Sequence, residues 1–281
     1  MDQLDLLLKT VLLRPYVFIF LAGLLVSAIQ LIGWPRTWRL WLISWLTAFV
    51  CEFSSTRTGL PFGWYFYTGS TVGQELYLSN IPFMDSISFS FLLYAAYCTA
   101  LCFLLPRDET DSSPRLRPLR FDPDIRSGWG ALLLTALLFA AIDMVIDPIA
   151  LRGDRWFLGK LYYYADTGIH FGVPLSNYIG WMVVGLISLA IYFPLDRRLP
   201  PLPARDGTAT TNRILLGVGL YYGVLLFNLT VTFWVGETTL GLSGVLMFLP
   251  LTVLLALRLT TPRKPLVAGN EPAKFDSVNS V

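Results

Sequence analysis

Seven long apolar stretches recur along the 281-residue chain and constrain its fold more than any other feature. A helix needs about 20 predominantly apolar residues to cross a bilayer, and only helices and closed barrels can span one. The second stretch is the shortest, and it reaches spanning length if its helix begins near Trp38 and continues to Phe53. The pattern predicts an all-α, polytopic integral membrane helix bundle with about seven transmembrane helices. The stretches lie at 16–32, 40–51, 87–105, 129–149, 178–193, 214–235 and 240–257.

The composition also indicates a chain that is solvated by lipid. Hydrophobic residues make up 54% of the chain and charged residues 14%, outside the range of ordinary soluble domains. The net charge is only +2, and the Lys and Arg residues lie in loops rather than in one patch interleaved with aromatic rings. These features argue against a nucleic acid partner.

The connecting segments predict the domain organisation and the orientation. We expect one membrane domain over 1–261, and a disordered tail over 262–281, where the apolar character is lost. Only 6 of the 21 Lys and Arg residues belong to the segments on the N-terminal side of the membrane. Basic residues favour the cytoplasmic side. We therefore predict a multi-pass protein of the cell membrane with a cytoplasmic C-terminus.

Three carboxylates are predicted to meet near the non-cytoplasmic face, because the second and fourth helices both run outwards. They are Glu52, Asp143 and Asp147, and a carboxylate embedded in lipid is a candidate functional group. The i, i+4 spacing puts the two aspartates on one helix face, so one is expected to hold a proton and act as a general acid. Glu52 is a candidate base or relay partner. The alternatives are that Glu52 pairs with Arg57 and that Asp147 is solvated where the helix ends before Pro148.

Two segments on the same side, 59–69 and 162–181, join aromatic residues to Gly and Pro turns. They form either the aromatic belt of a membrane protein or a lining of rings that binds an apolar polyene and stabilises a carbocation. Acidic residues in the outer loops are expected to be solvated, Glu75 among them, with Asp85 kept as a reserve candidate. The candidate substrate-binding residues are Trp64, Tyr65, Tyr67, Tyr163, His170, Asn177 and Trp181.

The sequence lacks the usual signatures of redox cofactors. His170 is the only histidine, so a multi-histidine di-iron cluster cannot form, and a lone histidine is more often structural than a proton shuttle. The chain has no dinucleotide fingerprint and no cysteine pattern for an iron–sulfur centre. We therefore expect neither a redox cofactor nor a bound metal.

Over about residues 50–185 the motifs resemble those of a known family. They are Glu52, Thr58-Gly59-x-Pro61-Phe62-Gly63-x-Tyr65-x-Tyr67-Thr68, Ile81-Pro82, Asp143-x-x-x-Asp147-Pro148 and Gly172-Val173-Pro174-x-x-Asn177-Tyr178-x-Gly180-Trp181. The chain resembles the CruF-type carotenoid biosynthesis family, membrane hydratases that act on the acyclic end group of carotenes. It departs at Asp85 and Ser86, where the resemblance implies a more apolar start to the helix.

The resemblance implies that water adds across the terminal C1′–C2′ double bond of an acyclic carotene end group, giving a tertiary alcohol without a redox cofactor. The implied substrate is a carotenoid like lycopene or γ-carotene. In this mechanism Asp143 is the acid and Asp147 or Glu52 holds the water. The alternatives are a prenyltransferase whose aspartate pair holds Mg²⁺, a carotenoid cyclase, and a transporter with polar residues at the bilayer midplane.

Overall fold

The computed structural model describes residues 3–108 and 117–260, and every predicted apolar stretch lies in a helix to within one residue. The predicted tail, 262–281, lies outside the described residues. The helices are α1 Gln3–Leu13, α2 Pro15–Ile32, α3 Trp34–Thr58, α4 Phe83–Leu104, α5 Pro123–Arg126, α6 Trp129–Ala150, α7 Leu175–Arg197, α8 Gly207–Trp234 and α9 Thr238–Thr260. The short strands are β1 Tyr65–Tyr67, β2 Tyr77–Leu78, β3 Ile81–Pro82 and β4 Tyr162–Tyr164.

The predicted membrane bundle is confirmed, although the count of seven is approximate. Within the described ranges, six helices are long and apolar enough to cross a bilayer, namely α2, α4, α6, α7, α8 and α9. The predicted second span falls within α3, which has 25 residues but a less apolar composition. The helix still packs along α4 and α7 inside the bundle. The side of the membrane on which each end lies stays a prediction.

Helix α4 forms the centre of the bundle, because it packs against α2, α3, α6, α8 and α9. Nearly all of its side chains are buried, including the small residues Ala95, Ala96, Cys98 and Ala100. Small residues let helix backbones approach closely in a membrane, where no hydrophobic force drives helices together. At the closest approach, a Cβ added to Gly217 of α8 would lie 2.3 Å from Cys98 Sγ. The contact therefore requires a glycine.

We predict that Gly217→Ala lowers the free energy of unfolding by about 1–3 kcal/mol, the usual cost of overpacking a core. Gly219→Ala is the matched control, since no heavy atom lies within 4 Å of a Cβ at that position on the same helix. Thermal unfolding in detergent measures both variants. A Gly217→Ala protein as stable as the Gly219→Ala protein would contradict the predicted packing of α4 against α8.

The two aromatic segments, which are far apart in sequence, join in one antiparallel ribbon formed by β1 and β4. Tyr65 pairs with Tyr164 and Tyr67 with Tyr162. Successive side chains of a strand point to opposite faces, so these four tyrosines share the face towards the bundle. Phe66 and Tyr163, paired between them, lie on the other face and are partly exposed. The ribbon covers the end of the bundle at which α3 and α6 end and α4 and α7 begin.

A buried ion pair holds the N-terminal part of the chain against the loop between β1 and β2. Arg14 Nη2 lies 3.2 Å from Glu75 Oε1, and both side chains are fully buried. Arg14 Nη1 also donates to the Leu158 carbonyl at 2.7 Å. The expectation that Glu75 is solvated is therefore wrong. The guanidinium of Arg14 holds it in the interior.

Candidate active site

A cavity of about 110 Å³ lies beneath the tyrosine ribbon, between α2, α4, α6, α7 and α8. Its wall is mainly apolar and includes three carboxyl groups. Small-molecule sites usually combine an apolar wall with a few convergent polar groups in this way. The aromatic lining comprises Tyr16, Phe20, Phe89, Phe91, Trp156, Tyr162, Trp181 and Phe227, and the carboxylates are Asp85, Asp143 and Asp147.

A smaller cavity of about 40 Å³ adjoins the first and shares Asp85, Asp147 and Tyr162 with it. Helix α3 contributes Glu52 to its wall, and α7 contributes Asn177. The ribbon adds Tyr65, Tyr67 and Tyr164. Four carboxyl groups from three helices therefore surround one connected polar region.

Asp143 and Asp147 form a buried pair that is bridged by one amide. Asn177 Nδ2 donates to Asp143 Oδ2 at 2.5 Å and to Asp147 Oδ2 at 3.0 Å. Helix α6 continues past Pro148 to Ala150, and Asp147 is only 5% exposed. The alternative of a solvated Asp147 at a helix end is therefore wrong.

The two aspartates differ in the number of donors that they receive. Asp147 also accepts hydrogen bonds from the hydroxyls of Tyr164, at 2.6 Å, and Tyr162. Asp143 accepts only the amide of Asn177, and its Oδ1 is buried without a partner among the described residues. Donors stabilise the ionised form of a carboxyl. The surroundings thus favour charge on Asp147 and a proton on Asp143.

Glu52 and Asp85 form a second pair, which is bridged by a tyrosine. The hydroxyl of Tyr67 lies 3.0 Å from Glu52 Oε1 and 2.6 Å from Asp85 Oδ2. A phenol has one proton to donate, so both contacts are hydrogen bonds only if one of the two carboxyls is protonated. Arg57 instead donates to the Phe53 carbonyl and the Ser79 hydroxyl, so the alternative that Glu52 pairs with Arg57 is wrong. Asp85, expected to be solvated but named as a reserve candidate, lines both cavities of the site.

The ribbon tyrosines are permanent hydrogen-bond donors. Burial raises the pKa of Tyr67 well above its usual range, and the neighbouring Asp85 and Glu52 raise it further. Burial and then the charge of Asp147 do the same to the pKa of Tyr162. These hydroxyls therefore stay protonated and act on the carboxylates as neutral donors.

Among the residues that the structure describes, no Lys or Arg lines either of the two cavities. Buried charges without partners are costly, and such groups take up protons instead. The four carboxyls therefore depend on the hydrogen bonds of Asn177 and the ribbon tyrosines, because no basic residue of the described chain lines their cavities. Within 3–108 and 117–260, no group of three or more His, Cys, Asp or Glu side chains is arranged to hold a metal ion.

Stacked rings form the wall beside the carboxylates. The ring centroids of Phe89 and Trp181 lie 4.2 Å apart, with the planes inclined by 18°. Phe62 packs on α7 at Gly180, where an added Cβ would lie 2.3 Å from its ring. The glycine in this motif therefore lets the loop after α3 close against α7 and fixes the wall.

The structure brings most of the sequence-predicted site residues to these cavities: Glu52, Tyr65, Tyr67, Asp143, Asp147, Asn177 and Trp181. It places Trp64, Tyr163 and His170 elsewhere. Trp64 and Tyr163 are about half exposed, and His170 Nε2 lies 3.0 Å from the Met144 carbonyl oxygen. The roles proposed for all ten residues stay predictions.

Sequence reasoning missed Asp85 as a central residue, together with Tyr162 and Tyr164. A usable signal existed for the tyrosines. The Tyr-x-Tyr spacing occurs at 65–67 and again at 162–164, which in strands puts each pair of rings on one face.

Comparison with known proteins shows the family to which the chain belongs. Residues 6–257 match the family model described as "Carotenoid biosynthesis protein". Over 202 residues the chain is 28% identical to bisanhydrobacterioruberin hydratase of Haloarcula japonica. The aligned region covers 72% of this chain and 58% of that protein. The chain thus spans less than two thirds of that relative's length. No solved structure matches.

Proposed function

Because this chain belongs to the carotenoid biosynthesis protein family, we propose that it is a hydratase that adds water across a carbon–carbon double bond in a carotenoid end group. One observation carries the proposal. The buried Asp143, whose Oδ1 has no partner among the described residues, faces an aromatic cavity beside Asp147, which accepts three hydrogen bonds. Alkene hydration needs such a proton donor next to groups that stabilise a cation. The name of the relative, a hydratase, supports the same reaction.

The proposed bond is the terminal C1′–C2′ double bond of an acyclic end group, in a carotenoid like lycopene or γ-carotene. Asp143 delivers its proton to the less substituted carbon, C2′, and leaves a tertiary cation at C1′. The carboxylate of Asp147 and the faces of Trp181 and Phe89 stabilise this cation by charge and by cation–π attraction. Protonation at the other carbon would give a less stable cation.

Water then attacks C1′. One of its protons stays in the new hydroxyl, and the other passes to the pair of Glu52 and Asp85. Asp85 lines both cavities, so it is the member of that pair that contacts the attacking water. Tyr67 links it to Glu52, which allows the proton to be shared. The proton then returns from this pair to Asp143, which completes the cycle. Water has been added, and no electron has been transferred.

The small volume of the larger of these two cavities supports the proposal that only an end group of the substrate enters it. Its volume of about 110 Å³ is well below the roughly 300–1,000 Å³ of pockets that enclose whole drug-sized ligands. Tyr16 and Phe20 of α2 and Phe227 of α8 also line this cavity. The polyene is proposed to leave the cavity between these two helices and to continue in lipid.

The pigment profile of a lycopene-producing host tests the proposed function. Expression of the chain should convert part of the lycopene into a product that is heavier by one water molecule and carries a tertiary hydroxyl. A product with a ring and the mass of lycopene would instead indicate a cyclase. An unchanged profile with lycopene, γ-carotene and longer acyclic carotenoids, despite verified accumulation of the protein, would contradict the proposal.

We also predict that Tyr67→Phe lowers turnover by about 10- to 100-fold, because it breaks the hydrogen-bonded link between Glu52 and Asp85 and leaves their oxygens unpaired. Tyr163→Phe is the matched control, since it makes the same change on the exposed face of the ribbon. Conversion rates in isolated membranes, normalised to protein content, measure both. Equal activity of the two variants would exclude Tyr67 from the proton path.

A further inference from the structure

A separate and larger cavity, of about 440 Å³, lies at the opposite end of the bundle, where α3 and α6 begin and α7 ends. Five arginines line it: Arg36, Arg120, Arg126, Arg197 and Arg205. The only acidic residues in its wall, within the described part of the chain, are Asp124 and Asp196. The wall is therefore strongly positive, in contrast with the carboxylate-lined cavity at the other end.

The buried charges in this cavity do not balance. Asp196 is fully buried and pairs with Arg36 Nε at 2.5 Å and with Arg126 Nη2 at 2.6 Å. Both arginine side chains are only 7% exposed. One carboxylate thus faces two buried cations, and an uncompensated buried charge is costly. A further negative group in the cavity would offset this cost.

One guanidinium donor in this cavity lacks a hydrogen-bond partner among the described residues. Arg126 Nη1 is buried and has no hydrogen-bond partner among the described residues. The other buried guanidinium is occupied, since Arg36 Nη2 donates to the Pro200 carbonyl at 2.6 Å. Arg120 lies exposed at the edge of the cavity. A ligand with several acceptor oxygens would satisfy Arg126 and reach Arg120, and phosphate has this geometry.

The surroundings of the cavity indicate a lipid as the source of the phosphate. Phe121 and Leu202 belong to the same wall as the arginines. Ile187, Ile191 and Leu195 form an exposed apolar row along α7, spaced four residues apart, and the next position in the row, Leu199, lines the cavity. An acyl chain can lie along such a row while its headgroup occupies the basic pocket, an arrangement known for anionic lipids between transmembrane helices.

We propose that this cavity binds the phosphate group of an anionic phospholipid, at the membrane surface opposite the carboxylate site. Arg126 donates to the phosphate from inside the cavity and Arg120 from its edge. The buried ion pairs with Asp196 hold Arg126 in place. This binding is independent of the hydratase function.

Thermal unfolding of the delipidated full chain in detergent, with added lipid, tests the proposal. Phosphatidylglycerol should raise the melting temperature in a saturable way, because a ligand that binds only the folded state stabilises it. Phosphatidylcholine, which carries no net charge, should have a much smaller effect. Inorganic phosphate at the same concentration should have little effect, because it lacks acyl chains. Equal stabilisation by phosphatidylcholine or by inorganic phosphate would overturn the anionic lipid as the occupant.

Variants locate the site. Arg126→Gln and Arg120→Gln should each weaken phosphatidylglycerol binding by about tenfold, as expected for the loss of one charge-assisted hydrogen bond. Arg120 is exposed, so its variant should fold even if Arg126→Gln does not. Arg198→Gln is the control, because this exposed arginine lies at the same end of α7 but outside the cavity wall. Wild-type lipid affinity in Arg120→Gln, or the same loss in Arg198→Gln, would overturn the site.

Discussion

Asp143→Asn is expected to lower hydration by at least about 100-fold, the smaller end of the contribution of a positioned acid. The amide keeps the shape of the carboxyl, but it cannot deliver a proton to an alkene. Asp143 is buried next to Asp147, and among the described residues it receives one hydrogen bond and has a buried oxygen without a partner. Substrate conversion by membranes that contain equal amounts of each protein measures the effect.

Asp166→Asn is the matched control for that variant. Asp166 is exposed, lies near the same end of the bundle and lines neither cavity of the site, so its variant should retain wild-type activity. Accumulation and melting temperature should be close to wild type for both proteins. Wild-type turnover by Asp143→Asn would show that the carboxyl is structural and that another group protonates the substrate.

Asp147→Asn is expected to lower turnover by about 100- to 1,000-fold, which is the usual effect of removing one preorganised electrostatic group from an active site. The reason differs from that for Asp143. Asp147 is held by Asn177 and two tyrosine hydroxyls, so its charge is fixed before the cation forms. An amide supplies no charge to stabilise that cation, and it also leaves one or more of the three donors poorly paired.

Tyr164→Phe separates the charge of Asp147 from its hydrogen bonds. This variant removes one of the three donors, at 2.6 Å, and leaves the carboxylate in place. Turnover should fall by about tenfold or less, in line with one charge-assisted hydrogen bond. A loss in Tyr164→Phe as large as that in Asp147→Asn would mean that the position of the side chain, and not its charge, is what the reaction needs.

The helices and the grouping of three carboxylates could be predicted from the sequence. The length of an apolar stretch identifies a spanning helix. Lipid offers no hydrogen-bond partners to the backbone, so a spanning segment must pair its backbone groups internally. Alternation of helix direction then places the end of α3 and the end of α6 at the same surface. Glu52, Asp143 and Asp147 follow from these two rules without any knowledge of side-chain packing.

The tyrosine ribbon and Asp85 could not be predicted in the same way. Strands β1 and β4 have three residues each and lie almost 100 positions apart, so no local pattern specifies their pairing or register. Asp85 stands in the first turn of α4, where an acidic residue is common because it interacts favourably with the helix dipole. Only the position of Tyr67, which the ribbon fixes, turns Asp85 from a helix-end residue into a partner of Glu52.

The buried arginines were missed for a related reason. A count of basic residues treats Arg36 and Arg126 as markers of a cytoplasmic loop, since side-chain burial has no part in that rule. The structure instead encloses both side chains around Asp196. The sequence carries no sign of this, because the three residues belong to different helices and meet only after the bundle has packed.

The source of the hydroxyl oxygen tests the central claim most directly. Membranes that contain the protein, kept free of air and given a lycopene-type substrate in ¹⁸O-labelled water without added reductant, should form a tertiary alcohol that carries the label. Protonation followed by water capture requires this result, because the reaction leaves the redox state of substrate and water unchanged. Asp143→Asn membranes should form no labelled product above background. An alcohol that forms only in air and contains unlabelled oxygen would contradict the hydratase mechanism and the acid role of Asp143.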